Sequence, residues 1–184
     1  MVQQLLDWDI ELLVYLNQLG IAEYDSFWQT CTKIINWIPL YLFLMIMLMF
    51  QKPLKKGVTQ VILGVGMLFF VLTITNLSKV VFSRLRPSNN DEVAGLLRVL
   101  HHTNTYSFFS GHAASSFALT TLFVLLLKSQ FRWVWVLYVW PLLFSFSRIY
   151  VGVHYPSDVL TGALFGTASA MAFYYTYKRL QHTT

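Results

Sequence analysis

Charge is the first thing this chain lacks. Only 11% of its 184 residues are Asp, Glu, Lys or Arg, whereas a soluble globular domain carries about 25%. With 56% hydrophobic residues and a mean hydropathy of +0.55, the shortfall fits a chain that meets lipid. Cysteine is nearly absent as well. Cys31 stands alone, which excludes an internal disulfide, and its place at the start of an apolar stretch reads as that of a small hydrophobe. The first twenty residues hold Asp7, Asp9 and Glu11 but no basic leading segment, so no cleavable secretory signal is expected. Internal repeats, low-complexity tracts and linkers are also missing, so the chain reads as one domain. Its net charge of +5 raises nucleic acid as a partner, but a clustered basic face is wanting, and that class is set aside.

Five apolar stretches are present, at Ile34–Phe50, Gly57–Phe82, Ala113–Leu127, Trp133–Ser147 and Val159–Tyr177. A hydrocarbon core of about 30 Å asks for ~20 apolar residues. The second and fifth stretches meet that length. The third and fourth must extend past polar residues at one end, which puts those residues at the edge of the hydrocarbon. Leu5–Leu19 mixes Leu5, Leu6, Leu12, Leu13 and Leu16 with Asp7, Asp9, Glu11 and Gln18. That pattern predicts an amphipathic helix packed on the bundle or lying in the interface, with a sixth crossing as the lesser alternative. The expected fold is therefore all-α, an integral-membrane bundle of five to six helices with an N-terminal amphipathic helix.

The placement of charge then orients the bundle. One set of connections holds Lys52, Lys55, Lys56, Lys128, Arg132, Lys178 and Arg179 and no acid; the other holds every acid of the chain. The positive-inside rule puts the first set in the cytoplasm. Five alternating spans leave the C-terminus cytoplasmic and bring three polar islands together on the outer side. A bacterial cytoplasmic (inner) membrane is the expected location.

The islands are Lys79–Pro87, Ser110-Gly111-His112 and Ser147–Asp158. Ionisable residues beside membrane-length apolar segments are expensive and point to function. Lys79 and Arg86 are seven positions apart, two helical turns, so a continuing helix would present them on one face until Pro87 ends it. Arg84 falls off that face and is the weaker candidate. Ser110 suits a helix N-cap, Gly111 a close backbone approach, and the free N–H groups of the first turn an anion. Arg148 ends the fourth span. His154 and Asp158 straddle the start of the fifth, and their four-residue spacing lets the carboxylate reach the imidazole if that turn is helical. Taken singly, each island also has a plain structural reading: snorkelling cations, a helix start, a His–Asp hydrogen bond. Together the residue types suit phosphate chemistry, with cations for the oxyanion, histidines for attack and protonation, and a carboxylate to orient an imidazole. His112, His154 and Asp158 nominally offer metal ligands, but Lys79, Arg86 and Arg148 would repel a metal, so no metal or other cofactor is expected. His101, His102 and His182 read as solvent or interface residues.

These islands resemble the three signature motifs of the type 2 phosphatidic acid phosphatase superfamily, Lys-x6-Arg-Pro, Pro-Ser-Gly-His and Ser-Arg-x5-His-x3-Asp. The first and third match at every specified position; in the second, Phe109 stands where the family usually has proline. The resemblance implies that residues 1–184 form a single membrane-embedded phosphatase domain. It implies that His154 is the nucleophile, Asp158 its partner and His112 the general acid, with Lys79, Arg86, Ser110, Gly111 and Arg148 holding the phosphate oxygens. The implied activity is hydrolysis of a lipid phosphomonoester or diphosphate through a phosphohistidine. Candidate substrates are phosphatidate, phosphatidylglycerol phosphate, undecaprenyl diphosphate and lipid A phosphate. Two alternatives are a lipid phosphotransferase using the same phosphohistidine and a non-catalytic lipid-phosphate binder or transporter. A related vanadate-dependent peroxidase is disfavoured by the membrane spans. The oligomeric state is left open.

Overall fold

A computed structural model describes residues 2–50 and 53–183, with the side chains of residues 2, 182 and 183 left aside. Lys52 and the His182 side chain thus fall outside what is described. The described residues fold entirely as helices and connecting loops: α1 Val2–Gln18, α2 Ala22–Cys31, α3 Ile38–Met49, α4 Leu54–Phe82, α5 Asp91–Ala94, α6 Gly111–Leu127, α7 Val139–Tyr150 and α8 Pro156–Thr183. Tight 3-10 turns precede α3 (Ile34–Trp37) and α7 (Arg132–Tyr138).

Among the expected spans, the second is the plainest. α4 runs for 29 residues, about 44 Å at 1.5 Å per residue, and is long and apolar enough to cross a bilayer unaided. Other spans are composite. α2 and the segment Ile34–Met49 form a pair bent by 68° that passes the same test only if taken as one broken span. α7 has 12 residues and follows directly on the seven-residue 3-10 segment Arg132–Tyr138. Ile62, Phe69, Val80, Val81, Leu160 and Leu164 all turn outward. A water-soluble monomer rarely shows an apolar surface of that extent. Trp133 and Trp135 are exposed next to Arg132, where indole rings sit well at a membrane–water boundary.

The centre of the bundle is the pair α6–α8. An added Cβ on Gly166 would lie 2.1 Å from the Ala114 carbonyl oxygen, and one on Gly162 would lie 2.5 Å from that of Ser110. Glycine at these two positions lets the backbones approach closely. Because α6 begins with the second island and α8 with the end of the third, this contact sets the distance between the two. A core of Leu44, Met67, Val71, Ala118, Leu122 and Phe123 fills the space between α3, α4 and α6.

α1 packs against the island end of the bundle. Leu13 is fully buried with Val93, Ile149 and Tyr155. Asn17, also fully buried, donates to the carbonyls of Arg98, Ile149 and Tyr150 and accepts from the Arg98 N–H. The loop from Ser88 to Tyr106 contains the apolar residues Leu96, Leu97, Val99 and Leu100. It opens on a 3-10 turn (Pro87–Asn89), forms the four-residue α5 and is otherwise irregular. Leu97 packs towards α1, whereas Leu96 faces out.

Candidate active site

The helix carrying Lys79 stops earlier than its sequence suggests. α4 ends at Phe82, where Ser83 takes a left-handed conformation (φ 45°) and its N–H bonds the Lys79 carbonyl. Arg86 is therefore not on a helical face shared with Lys79. It lies in extended backbone (φ −71°, ψ 152°) just before Pro87, so the chain turns away four residues before that proline. Both residues nevertheless line one cavity of about 540 Å³, together with His112, Arg148 and His154. Tertiary folding brings about what helical periodicity was expected to do.

Arg86 is buried and fixed on every guanidinium nitrogen. Nε donates to the Thr105 carbonyl (2.8 Å), Nη2 to Thr105 Oγ1 (2.9 Å), and Nη1 to the Val153 carbonyl (3.0 Å) and His154 Nε2 (3.1 Å). Burial pulls its pKa down to about 10 against the opposing charge of Asp158, which leaves it cationic at neutral pH. Arg148, also buried, donates through Nη1 to the Thr32 hydroxyl, but its buried Nε–H has no hydrogen-bond partner. A buried charged donor left unpaired is costly and asks for an acceptor. Lys79 has no ion-pair partner among the described residues. Three cations thus border one small space.

His154 sits in the loop between α7 and α8 and is almost wholly buried. Its Nδ1 lies 3.2 Å from Asp158 Oδ2. That oxygen also accepts from the Tyr155 N–H at 3.1 Å. Tyr155 occupies the N-cap position of α8, Pro156 the first helical position and Asp158 the third, so the aspartate reaches back as in a capping box. The helical turn needed for the His–Asp spacing is therefore present. Burial first, then the charges of Arg86, Arg148 and Lys79, hold the imidazole well below its ordinary range, so His154 is neutral at physiological pH. His112 leans on Phe144, with ring centroids 4.8 Å apart, from the first turn of α6.

Ser110 and Gly111 stand one layer behind the cavity wall. The Ser110 hydroxyl caps α6 by accepting from the Ala113 N–H, and the Ser110 N–H donates to the Asp158 carbonyl at 3.0 Å. A Cβ on Gly111 would meet Thr75 Cγ2 at 3.3 Å, so glycine there serves the packing of α6 on α4. Phe109, at the position of the missing proline, is buried against Phe165.

Sequence reasoning undervalued Arg84. It donates 2.8 Å bonds from Nη1 to both Asp158 Oδ1 and Ser157 Oγ, and so occupies the Asp158 oxygen that His154 does not use. It lies off the helical face of Lys79, and only the turn at Ser83 aims it at α8. Thr32 and Thr105 were missed for the same reason, since neither lies in a motif. His101, expected at solvent or the interface, is exposed and lines the cavity, as does Lys33. Among the described residues no three His, Cys, Asp or Glu side chains group as a metal site.

Comparison with known proteins bears on the family and the fold. Residues 59–182 match the family model described as the PAP2 superfamily. The chain is similar to a lipid A 4'-phosphatase of Bacteroides thetaiotaomicron, at 28% identity over 98% of this chain and 81% of that protein. It is also similar to an undecaprenyl-diphosphatase of Sulfolobus acidocaldarius, at 33% identity over 90% and 76%. In fold it resembles a transmembrane PAP2-type phosphatidylglycerolphosphate phosphatase from Bacillus subtilis, with a TM-score of 0.76 at 16% identity over 96% of this chain and 87% of the other. Aquifex aeolicus LpxE gives a TM-score of 0.69 at 26% identity over 89% and 92%.

Proposed function

The chain belongs to the PAP2 superfamily, and we propose that it is an integral-membrane lipid phosphate phosphatase, a single domain working through a phosphohistidine without a metal. One observation carries this reading. The neutral, buried His154 lines a cavity bordered by Lys79, Arg86 and Arg148, with its Nδ1 3.2 Å from Asp158 Oδ2 and its Nε2 3.1 Å from Arg86 Nη1.

The reaction follows from that arrangement. The three cations and the N-terminus of α6 draw the phosphoryl oxygens into the cavity and stabilise the charge that builds in the transition state. His154 Nε2 attacks phosphorus, and the bond from phosphorus to the lipid oxygen breaks. His112 gives its proton to that departing oxygen. Asp158 stabilises the positive charge that develops on the His154 ring. Water then attacks the phosphohistidine, His112 takes a proton from it, and inorganic phosphate leaves as the Nε2 lone pair is restored.

The site lies at the end of the long apolar α4, where a lipid headgroup sits while its tails remain in the bilayer. The charge distribution supports an extracytoplasmic site and a cytoplasmic C-terminus. Lipid A phosphate and undecaprenyl diphosphate head the candidate substrates because relatives that act on them share most of this chain's length. Phosphatidate and phosphatidylglycerol phosphate complete the panel.

The test is phosphate release from these four lipids by purified protein, with His154→Ala as the blank. Activity is expected to survive prolonged EDTA and to be inhibited by vanadate, whose five-coordinate adduct resembles the transition state. Activity that is lost in EDTA and restored by Mg²⁺ or Zn²⁺ would replace this mechanism with a metal-assisted one.

A further inference from the structure

α1 reaches the site through one carboxylate. Asp9 faces the start of α8 with its side chain 9% exposed. Its Oδ1 accepts from the Ser157 backbone N–H at 2.9 Å, and its Oδ2 accepts from the Ser157 hydroxyl and, at 2.7 Å, from Arg84 Nη2. Arg84 turns its other terminal nitrogen to Asp158, and its guanidinium carbon lies 3.7 Å over the Tyr155 ring. A chain of alternating charge therefore runs from Asp9 to Arg84 to Asp158 and ends on His154 Nδ1.

Two physical needs meet at Asp9. The first turn of α8 has backbone N–H groups with no partner inside the helix, and Tyr155 at the cap position has no short side chain to accept from them. Asp9 supplies that acceptor from another helix. Arg84 is 22% exposed, so it needs an anchor to keep its fork on Asp158 and out of solvent. Asp9 supplies that too, since a carboxylate binds two faces of the same turn at once.

We infer that Asp9 is a positioning residue for phosphoryl transfer: acting through Arg84 and the first turn of α8, it holds Asp158 in line with the His154 Nδ1–H. The inference rests on the reading of His154 as nucleophile. A helix that merely docks on the bundle would need none of these contacts to converge on Asp158, because Leu13 and Asn17 already hold α1 in place.

Asp9→Asn keeps the size of the side chain and removes its charge; Asp7→Asn makes the same charge change on the exposed side of α1. The first readout is independent of turnover. In protein carrying isotope-labelled histidine, the hydrogen-bonded Nδ1 proton of His154 is identified by its loss in His154→Ala. It is expected to shift and broaden in Asp9→Asn and to stay in place in Asp7→Asn. The second readout is kinetic. Asp9→Asn is expected to lower kcat, by less than the about 10²–10⁴-fold that a general acid–base group itself contributes, with KM retained and part of the loss recovered in Asp9→Glu. Asp9→Asn combined with Arg84→Gln is expected to be no worse than Arg84→Gln alone, because residues acting through one another are not additive.

An unmoved His154 proton with unchanged kcat, or losses that simply add, would overturn the inference. If Asp9→Asn does not fold, Ser157→Ala removes the hydroxyl that links Asp9 and Arg84 to the first turn of α8: a fall in kcat at constant KM supports the inference, and no fall overturns it. A shifted His154 proton in a protein that releases phosphate from no ester leaves Asp9 as a positioning residue and refutes the phosphatase reading instead.

Discussion

Arg86 Nη1 lies 3.1 Å from His154 Nε2, and that contact assigns the tautomer of the ring. Arginine only donates, so Nε2 carries the lone pair and the proton sits on Nδ1, facing Asp158. In the proposed mechanism, the attacking nitrogen is thus held by the cation that would take a phosphoryl oxygen. On that proposal, a phosphoryl oxygen of the substrate would replace Nε2 as the acceptor and release the lone pair beside the phosphorus.

Arg86→Ala is therefore expected to lose about 10²–10³-fold in kcat, the usual cost of removing one donor to a developing oxyanion. Arg86→Lys is expected to recover little of it. An ammonium cannot hold Thr105 and Val153 while still reaching the phosphate, because it lacks the planar fork. Steady-state kinetics on the preferred lipid measures both, and full activity in Arg86→Lys would refute the clamp.

His112→Ala should show a defect that depends on the leaving group. General acids contribute about 10²–10⁴-fold. The loss should fall at the high end for an alkyl phosphate and shrink for an aryl phosphate, whose leaving oxygen needs less protonation. Equal defects on both esters would remove His112 from the role of acid.

The His154 imidazole contributes a defined pH dependence of stability. Its folded-state pKa is held well below the ordinary 6.5. Below that value the unfolded chain takes up a proton that the folded site refuses, so stability is complete above about pH 6.5 and declines as the pH falls towards the folded-state value. The thermal midpoint of the wild type is expected to fall more between about pH 7 and pH 5 than that of His154→Gln, which lacks this group. Parallel curves would show that His154 is not held neutral in the fold.

Gly166→Ala tests the spacing of α6 and α8. The new methyl group meets the Ala114 carbonyl, and overpacking of this kind costs about 1–3 kcal/mol. Because α6 carries His112 and α8 carries Asp158, turnover is expected to fall along with the thermal midpoint. A midpoint unchanged in detergent would show that the two helices are not confined as described.

Topology can be read with single cysteines in a Cys31→Ala background. Gly95→Cys is well suited to the loop, since a Cβ there meets nothing within 4 Å, and Gln181 is exposed near the C-terminus. An impermeant thiol reagent on intact cells is expected to label Gly95→Cys and spare Gln181→Cys. The reverse pattern would move the site to the cytoplasm.

What the sequence determined by itself is local. The capping role of Ser110, the one-turn spacing of His154 and Asp158, and the long α4 all depend on neighbours within a few residues. There, turn chemistry and hydrophobic length are enough. The three motifs also named the main lining groups, because their residue types are costly beside a membrane unless used. Tertiary structure decided the rest. Arg84 meets Asp158 across 74 positions and Asp9 meets Ser157 across 148, and no periodicity reaches that far. Even Lys79 and Arg86 converge because the chain turns at Ser83 and Thr105 captures the arginine, not because they share a helical face. Spacing along a helix is fixed by backbone geometry, whereas contacts between elements are fixed by which glycines and buried polar groups let those elements close on one another.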